Sequence, residues 1–225
     1  VGGGYIGLEA AATARKFGVD VTLVEIEERI LKRVAAKETS DYIRSLHISN
    51  GVKIKEAIGL DKLEIVGEKV VNASLTDGSD INVDFVIVGI GITPNTDLAE
   101  GANLKINNGI LVNEKCQTSV SNIYAAGDCN SFKYKNTLVS MESVGNAIDQ
   151  ATTVAQNIMK QNTSYTPKPW FWSDQYDLIL QIAGLNTGYD EVVVRKGESR
   201  QVSHWYYKGQ SLLAVDALND PRCYM

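Results

Sequence analysis

A glycine-rich turn constrains this chain more than any other feature. Val1 is followed by Gly2-Gly3-Gly4-Tyr5-Ile6-Gly7-Leu8, a GxGxxG spacing that runs directly into the alanine-rich stretch Glu9-Ala10-Ala11-Ala12. Each glycine has its own task at such a turn. One permits the tight bend, the next lets the backbone approach a pyrophosphate, and the third lets helix and strand pack closely. Phosphate oxygens then rest on N–H groups at a helix N-terminus, where the backbone dipoles favour an anion. The residues that follow are in register. The helix is expected to run to about Phe17-Gly18, and Val19-Asp20-Val21-Thr22-Leu23-Val24-Glu25 reads as a short buried strand ending in an acid. Glu25 stands eighteen residues after Gly7, close to the roughly 20-residue offset at which an acid meets the ribose 2′-hydroxyl of a dinucleotide. Gly2, Gly4, Gly7 and Glu25 are therefore the dinucleotide-binding candidates. A carboxylate here would repel a 2′-phosphate, which favours NADH over NADPH. Arg29, Lys32 and Arg33 come soon after, and either form a solvated loop face or could hold such a phosphate.

Such a turn normally follows a buried strand, of which only Val1 is present, and no initiator methionine opens the chain. A fragment lacking upstream residues is expected. Composition narrows the class. With 225 residues, 44% hydrophobic and 22% charged, the chain is large enough for one big or two modest globular domains. A net charge of -5 leaves no global electrostatic footprint for nucleic acid or an anionic membrane. The three cysteines (Cys116, Cys129, Cys223) have no CxxC or metal-ligand spacing, so neither a disulfide framework nor a metal site is expected, and a reducing, cytoplasmic setting is. No apolar run approaches the roughly 20 residues of a membrane span.

Further along, Tyr42, Ile43 and Leu46 mark a second helix leading into the short strand Gly51-Val52-Lys53-Ile54. Leu63 to Val66 and Val70 to Leu75 flank Gly67-Glu68-Lys69, a hairpin signal, and Val83 to Val88 is an almost continuous apolar run, read as a strand. The expectation is α/β: a Rossmann-like sheet carrying an antiparallel meander. His47, alone in its helix, is more often structural than catalytic. A Gly89-Ile90-Gly91-Ile92-Thr93-Pro94-Asn95 crossover then leads to a hairpin through Asn107-Asn108-Gly109 into Ile110-Leu111-Val112, and Gly89 joins the cofactor-binding candidates.

The block Thr118 to Cys129, ending Tyr124-Ala125-Ala126-Gly127-Asp128-Cys129, resembles the second flavin fingerprint of the glutathione-reductase-like flavoproteins, in which a strand delivers a Gly-Asp pair to the ribityl chain of FAD. The residue types suit the task, since glycine allows close backbone approach and a carboxylate accepts hydrogen bonds from sugar-alcohol hydroxyls. Met141 to Ala151 opens a helix whose N-terminus would stabilise charge on a reduced flavin, so residues near Val144 are candidates for contact with the ring; the same helix also serves as a core helix. Downstream, Pro169-Trp170-Phe171-Trp172-Ser173-Asp174-Gln175-Tyr176 and the run Leu178 to Leu185 resemble the carboxy-terminal domain of the ferredoxin and rubredoxin reductases of bacterial oxygenase systems, within the FAD-dependent pyridine nucleotide-disulfide oxidoreductases. The later runs alternate as strands of a small α+β domain.

That resemblance runs from Gly2 to about Asp216, and its first GxGxxG, which holds the ADP half of FAD, falls before Val1. It implies three parts: an NAD-binding domain at 1–88, the returning half of an FAD-binding domain at 89–166, and a carboxy-terminal reductase domain at 167–225. The cofactors implied are FAD and NADH, and the activity is NADH:ferredoxin (or rubredoxin) oxidoreductase, with electrons passing from NADH through flavin to an iron–sulfur protein. On its own this fragment is expected to be inactive and to retain FAD poorly. Trp172 would lie at the flavin edge where the partner docks; Trp170 and Trp172 alternatively close the core. Glu9 and Glu142 are the acids placed near the nicotinamide, each otherwise a capping or solvated acid, and no side chain is required as nucleophile or metal ligand. Residues 167–225 hold six Lys or Arg and seven Asp or Glu, so electrostatic docking of an acidic partner would need a local cluster such as Lys160 and Lys168. Alternatives are a flavin disulfide reductase or NADH oxidase, and a non-catalytic NAD-responsive flavoprotein like the apoptosis-inducing factors.

Overall fold

A computed structural model describes residues 1–135 and 137–224. The chain divides into two compact units, one made of 1–91 with 172–225 and the other of 92–171.

The first unit begins with the turn. Gly2 adopts φ +100°, a conformation that an L side chain resists, and Gly4 caps α1 (Tyr5–Lys16). Alanines and leucine at helical spacing bury one stripe of α1, with Leu8, Ala11 and Ala12 inaccessible. Arg15 and Lys16 occupy the last turn, where they oppose the negative end of the helix dipole. Gly18 follows at φ +76° and ends the helix as expected. The chain then enters β1 (Thr22–Val24), crosses through α2 (Lys37–Ser49) and returns as β2 (Lys53–Lys55), which pairs parallel with β1, Leu23 opposite Ile54. This is the βαβ crossover that the spacing predicts. Ile43, Leu46 and His47 form the buried face of α2.

An antiparallel meander follows: β3 (Leu60–Val66), β4 (Lys69–Leu75) and β5 (Asp80–Asn82), in that order. Gly67, at φ +64°, takes the first position of the two-residue hairpin between β3 and β4, where positive φ matches the strand twist. The expected strand over Val83–Val88 does not form a ladder. Among the described residues it makes isolated bonds: the Val83 N–H donates to the Val71 carbonyl at 3.1 Å, the Val1 amino group donates to the Ile87 carbonyl at 2.7 Å, and just beyond the run the Gly89 N–H donates to the Val1 carbonyl at 2.8 Å. Such isolated bonds do not make a ladder, and Phe85, Ile87 and Val88 are exposed.

In the second unit, α3 (Asp97–Gly101) is followed by β6 (Ile110–Leu111), β7 (Asn130–Tyr134) and β8 (Thr137–Val139); β6 pairs parallel and β8 antiparallel with β7. The turn at Asn108-Gly109 has both residues at positive φ. Then comes α4 (Val144–Ile158), capped by the Ser143 hydroxyl, which accepts from the Asn146 N–H. Phe132 and Tyr165 meet edge to face in this unit's core.

The carboxy-terminal part builds an antiparallel sheet from β9 (Trp170–Gln175), β10 (Leu178–Gly184), β11 (Glu191–Lys196), β12 (Val202–Lys208) and β13 (Ser211–Leu218), in the order β11-β12-β13-β10-β9, ending in α5 (Pro221–Tyr224). Within the first unit this sheet is tied to α2 by a buried polar cluster. The Thr39 hydroxyl donates to Asp216 Oδ2 at 2.6 Å and lies 2.7 Å from His204 Nδ1. Tyr206 donates its hydroxyl proton to Asp216 and accepts from the Ala36 N–H. Tyr206 packs with Ala36 and Ala214 around it. Burial raises the Asp216 carboxyl to about 6 and lowers the His204 ring to about 4.

Candidate functional site

The turn residues form one close-packed glycine cluster. A Cβ on Gly7 would lie 3.1 Å from the Gly2 carbonyl carbon and closer still to its oxygen. A Cβ on Gly2 would meet the Gly89 carbonyl, and one on Gly89 would sit 3.3 Å from the Gly7 nitrogen. Gly2, Gly7 and Gly89 thus share a space in which any side chain would separate the helix from the turn. Gly89, expected to touch cofactor, packs here beneath the turn. Gly4 differs, because a Cβ there would meet nothing within 4 Å. Its open face sits at the head of a helix that no side chain caps. A backbone bare of side chains, beside uncapped helix N–H groups, fits the pyrophosphate of a dinucleotide.

Glu25 leaves the end of β1 and reaches back to this turn. Its Oε2 accepts the Gly3 N–H at 2.6 Å and its Oε1 accepts the Glu27 N–H at 2.7 Å. Each oxygen retains acceptor capacity for a ribose hydroxyl. Two of the three nearby bases are committed elsewhere. Arg29 donates to the Ala35 carbonyl at 2.9 Å and to Ser40, and Lys32 pairs with Glu28 at 2.6 Å. Arg33 is exposed.

In the second unit, Gly127 lies at φ +82°, and a Cβ there would touch Ala147 at 3.4 Å, so the Gly127-Asp128 pair stands beside the first turn of α4. The expected flavin elements are brought together. Gln150, from the next turn of α4, accepts the Gly127 N–H at 2.8 Å and also the Asn130 amide at 2.7 Å. Asp128 and Val144 are exposed. The donor and acceptor set, an exposed carboxylate beside a helix N-terminus, fits a polyhydroxylated chain ending in an electron-accepting ring. One expectation is corrected. The Gly-Asp pair precedes β7 and is not delivered by a strand, because Ile123 to Ala126 pairs only through the Gln117–Tyr124 bridge and its flanking bonds to Cys116 and Thr118. Trp170 also belongs to this unit, and its indole covers Gly145 on the first turn of α4, where a Cβ would come within 2.8 Å of Nε1. Glu142 is exposed just before α4.

Glu9 and Trp172 lie in the first unit. Trp172 stays 43% exposed, so it does not close a core. Side chains of β9 alternate, and those of Ser173 and Gln175 are buried. Sequence reasoning missed these two. The Ser173 hydroxyl donates to Glu9 Oε1 at 2.6 Å and accepts from Gln175 Nε2 at 3.0 Å, while Gln175 Oε1 lies 2.8 Å from His47 Nε2. Burial lowers the pKa of His47, so its ring is neutral. The one signal available was polar residues two apart on a strand, which looks the same on a wet face.

All three cysteines are free. Cys116 is buried, and burial pushes its thiol up to about 11, which leaves almost no thiolate. Among the described residues no cluster of His, Cys, Asp and Glu could hold a metal, and no helix is long and apolar enough to cross a membrane.

Comparison with known proteins agrees with this geometry. The pyridine nucleotide-disulphide oxidoreductase family matches residues 1–151, and a reductase C-terminal family matches residues 170–225. The chain is 40% identical to rhodocoxin reductase of Rhodococcus erythropolis over 100% of its own length and 53% of that protein. It is 41% identical to putidaredoxin reductase of Pseudomonas putida over 98% of its length and 54% of the relative. The crystal structure of the ferredoxin reductase for the CYP199A2 system from Rhodopseudomonas palustris superposes with a TM-score of 0.94 at 37% identity, covering 99% of this chain and 56% of that one. The chain therefore spans about half the length of the relatives it matches.

Proposed function

The chain belongs to the pyridine nucleotide-disulphide oxidoreductase family, and on that premise we propose that the whole protein is an FAD-dependent NADH:ferredoxin (or rubredoxin) oxidoreductase serving a bacterial oxygenase system. The observation that carries this reading is the turn: Gly2 and Gly7 packed together, Gly4 open to solvent, and Glu25 bound to the Gly3 N–H. Relatives named for rhodocoxin and putidaredoxin, electron carriers by those names, support an iron–sulfur partner over any other acceptor. We place it in the cytoplasm.

When bound, the nicotinamide and the flavin supply hydride and single-electron chemistry. The chain's own residues bind, orient and exclude. Gly4 and the N-terminus of α1 hold the pyrophosphate, and Glu25 accepts from the adenosine ribose hydroxyls and repels a 2′-phosphate. Asp128 accepts from the ribityl hydroxyls. The N-terminus of α4 at Val144 would offer its positive end to a bound flavin. Glu9 orients the nicotinamide, Glu142 stands at the entrance of α4, and Trp172 offers an indole edge to the incoming partner. In domain terms, 1–88 holds NAD, 89–166 is the returning half of the FAD-binding part, and 167–225 is the reductase domain.

A disulfide-reductase reading gains nothing from Cys116, which is buried and held as the thiol. The purified whole protein is expected to show flavin absorbance and NADH-dependent reduction of ferricyanide or a ferredoxin. A colourless protein without that activity overturns the assignment. Efficient reduction of a disulfide with none of a ferredoxin would favour the disulfide reading, and a long-lived reduced complex that reduces nothing would favour the non-catalytic, NAD-responsive one.

A further inference from the structure

A chain of hydrogen bonds runs through the interior of the first unit and ends on Glu9. It starts at Tyr176, in the two-residue turn between β9 and β10, whose hydroxyl lies 3.4 Å from His47 Nδ1, with the two rings edge to face at 5.1 Å. It continues through His47 Nε2 to Gln175 Oε1 at 2.8 Å, Gln175 Nε2 to Ser173 Oγ at 3.0 Å, and Ser173 Oγ to Glu9 Oε1 at 2.6 Å. His47, Gln175 and Ser173 are each at most 1% accessible. Three elements distant in sequence supply it: α1, α2 and β9.

The chemistry of each member sets the direction of every proton. A carboxylate has only acceptors, so the single Ser173 hydroxyl proton points at Glu9. The Ser173 oxygen is then the acceptor for the Gln175 amide N–H, which turns the Gln175 carbonyl oxygen toward His47. That oxygen can only accept, so His47 carries its proton on Nε2. Burial keeps the ring neutral, hence Nδ1 is bare and accepts from the Tyr176 hydroxyl. All four protons point the same way, toward the Glu9 carboxylate. Bonds aligned in this manner polarise one another, and inside a low-dielectric interior the last one is the strongest.

We propose that Ser173, Gln175 and His47 form a positioning relay that fixes the Glu9 carboxylate for its contact with the nicotinamide. This rests on the placement of Glu9 at the nicotinamide made above. A glutamate one turn into a helix would otherwise sample several rotamers. The relay removes that freedom by seizing Oε1, and it leaves Oε2 to accept from a donor on the ligand. It also couples the carboxy-terminal strand to the nucleotide helix, so the binding acid is set in place only when β9 is docked. The relay orients and does not conduct, because the Gln175 amide passes no proton at neutral pH.

The test uses the whole FAD-loaded protein and three readouts. Imidazole ¹⁵N spectra report the tautomer, and the chain has two histidines, which H204N tells apart. His47 is expected as the Nε2–H form, and S173A is expected to move its Nε2 resonance although a glutamine separates the two residues. Stopped-flow reduction by NADH is expected to slow about tenfold in S173A, to recover in S173T, and to show no additional loss when S173A is added to E9A. NAD⁺ titration by calorimetry is expected to show a weakening of at most about threefold in S173A, so that rate falls more than affinity. A His47 protonated on Nδ1, or full additivity of S173A and E9A, overturns the relay. Wild-type kinetics for E9A overturn instead the placement of Glu9 beneath it, and with it the role given to the relay.

Discussion

Two glycines of the turn are expected to fail in opposite ways when each is given a methyl group. At Gly7 the new Cβ would sit 3.1 Å from the Gly2 carbonyl carbon and closer to its oxygen, and both are backbone. No rotamer change relieves this, so α1 must move away from the turn. Overpacking of this kind costs about 1–3 kcal/mol, and at 2–4 °C per kcal/mol for a chain of this size the G7A melting temperature should fall by roughly 2–12 °C. At Gly4 the methyl meets nothing within 4 Å, and the backbone, at φ −78°, suits alanine. Alanine is a poorer N-cap than glycine, a loss of about 0.5–1 kcal/mol, but at this compatible φ the entropy it removes from the unfolded chain offsets about 0.4–1 kcal/mol, so G4A should melt within about 2 °C of the parent. Yet that methyl fills the space where a pyrophosphate would rest, and NAD⁺ binding should weaken roughly 10- to 100-fold, or about 1.4–2.7 kcal/mol. Circular dichroism melts and calorimetric NAD⁺ titration read the two effects separately. Parental NAD⁺ affinity in G4A would remove the pyrophosphate from this face, and a parental melting temperature in G7A would refute the packing.

Other perturbations follow from the same geometry. Asp216 has its pKa raised to about 6 in the fold, so the native state binds the extra proton between about pH 4 and 6 and this group lowers stability as pH rises. His204, lowered to about 4, binds fewer protons when folded and raises stability over about pH 4 to 6.5. Each contributes about 3 kcal/mol, and they oppose one another. D216N should therefore gain a steep rise in urea stability from pH 4 to 6.5, and H204N should show a fall; parallel profiles for both variants and the parent would contradict the shifts. E25A should lose about tenfold or more in NADH affinity and narrow the preference over NADPH, measured by fluorescence titration; an unchanged NADH/NADPH ratio would count against the ribose contact. Reversing Lys160 and Lys168 to glutamate should slow reduction of an acidic iron–sulfur protein several-fold at low salt and flatten its salt dependence, whereas an unaltered salt profile would clear those lysines of any part in docking.

Local chemistry made much of the nucleotide turn legible. Gly2 needs positive φ, Gly7 needs bare space, and Glu25 stands at a fixed offset, all within one βαβ unit. The meander was legible for the same reason, since Gly67 announces its hairpin. Pairing that depends on neighbours was not. Val83–Val88 has the composition of a strand but makes isolated bonds to Val71 and Val1 in place of a ladder, and the segment before Gly127 likewise lacks one. Long-range polar contacts left no trace at all. Thr39 and Asp216 are 177 positions apart and meet as buried partners, while Ser173 and Gln175 have the polarity of a wet strand face and are fully enclosed. Periodicity reports which side of an element is apolar; it is silent when a buried side is polar and satisfied from elsewhere.

The first unit is discontinuous, its opening stretch of 91 residues waiting for the final 54. Ala36 and the Tyr206 hydroxyl that accepts its N–H are 170 positions apart. At roughly 5–20 residues per second on the ribosome, the earlier partner is made roughly ten to thirty seconds before the later one. During that interval the face of α2 destined for the carboxy-terminal sheet, with Thr39 and His47, stands open in the cell. Closing it requires a long loop to be drawn in before any contact rewards the cost. Stopping synthesis near residue 171 would leave Glu9 without the Ser173 hydroxyl that holds it, so on the proposed relay the order of manufacture sets when that acid is first fixed.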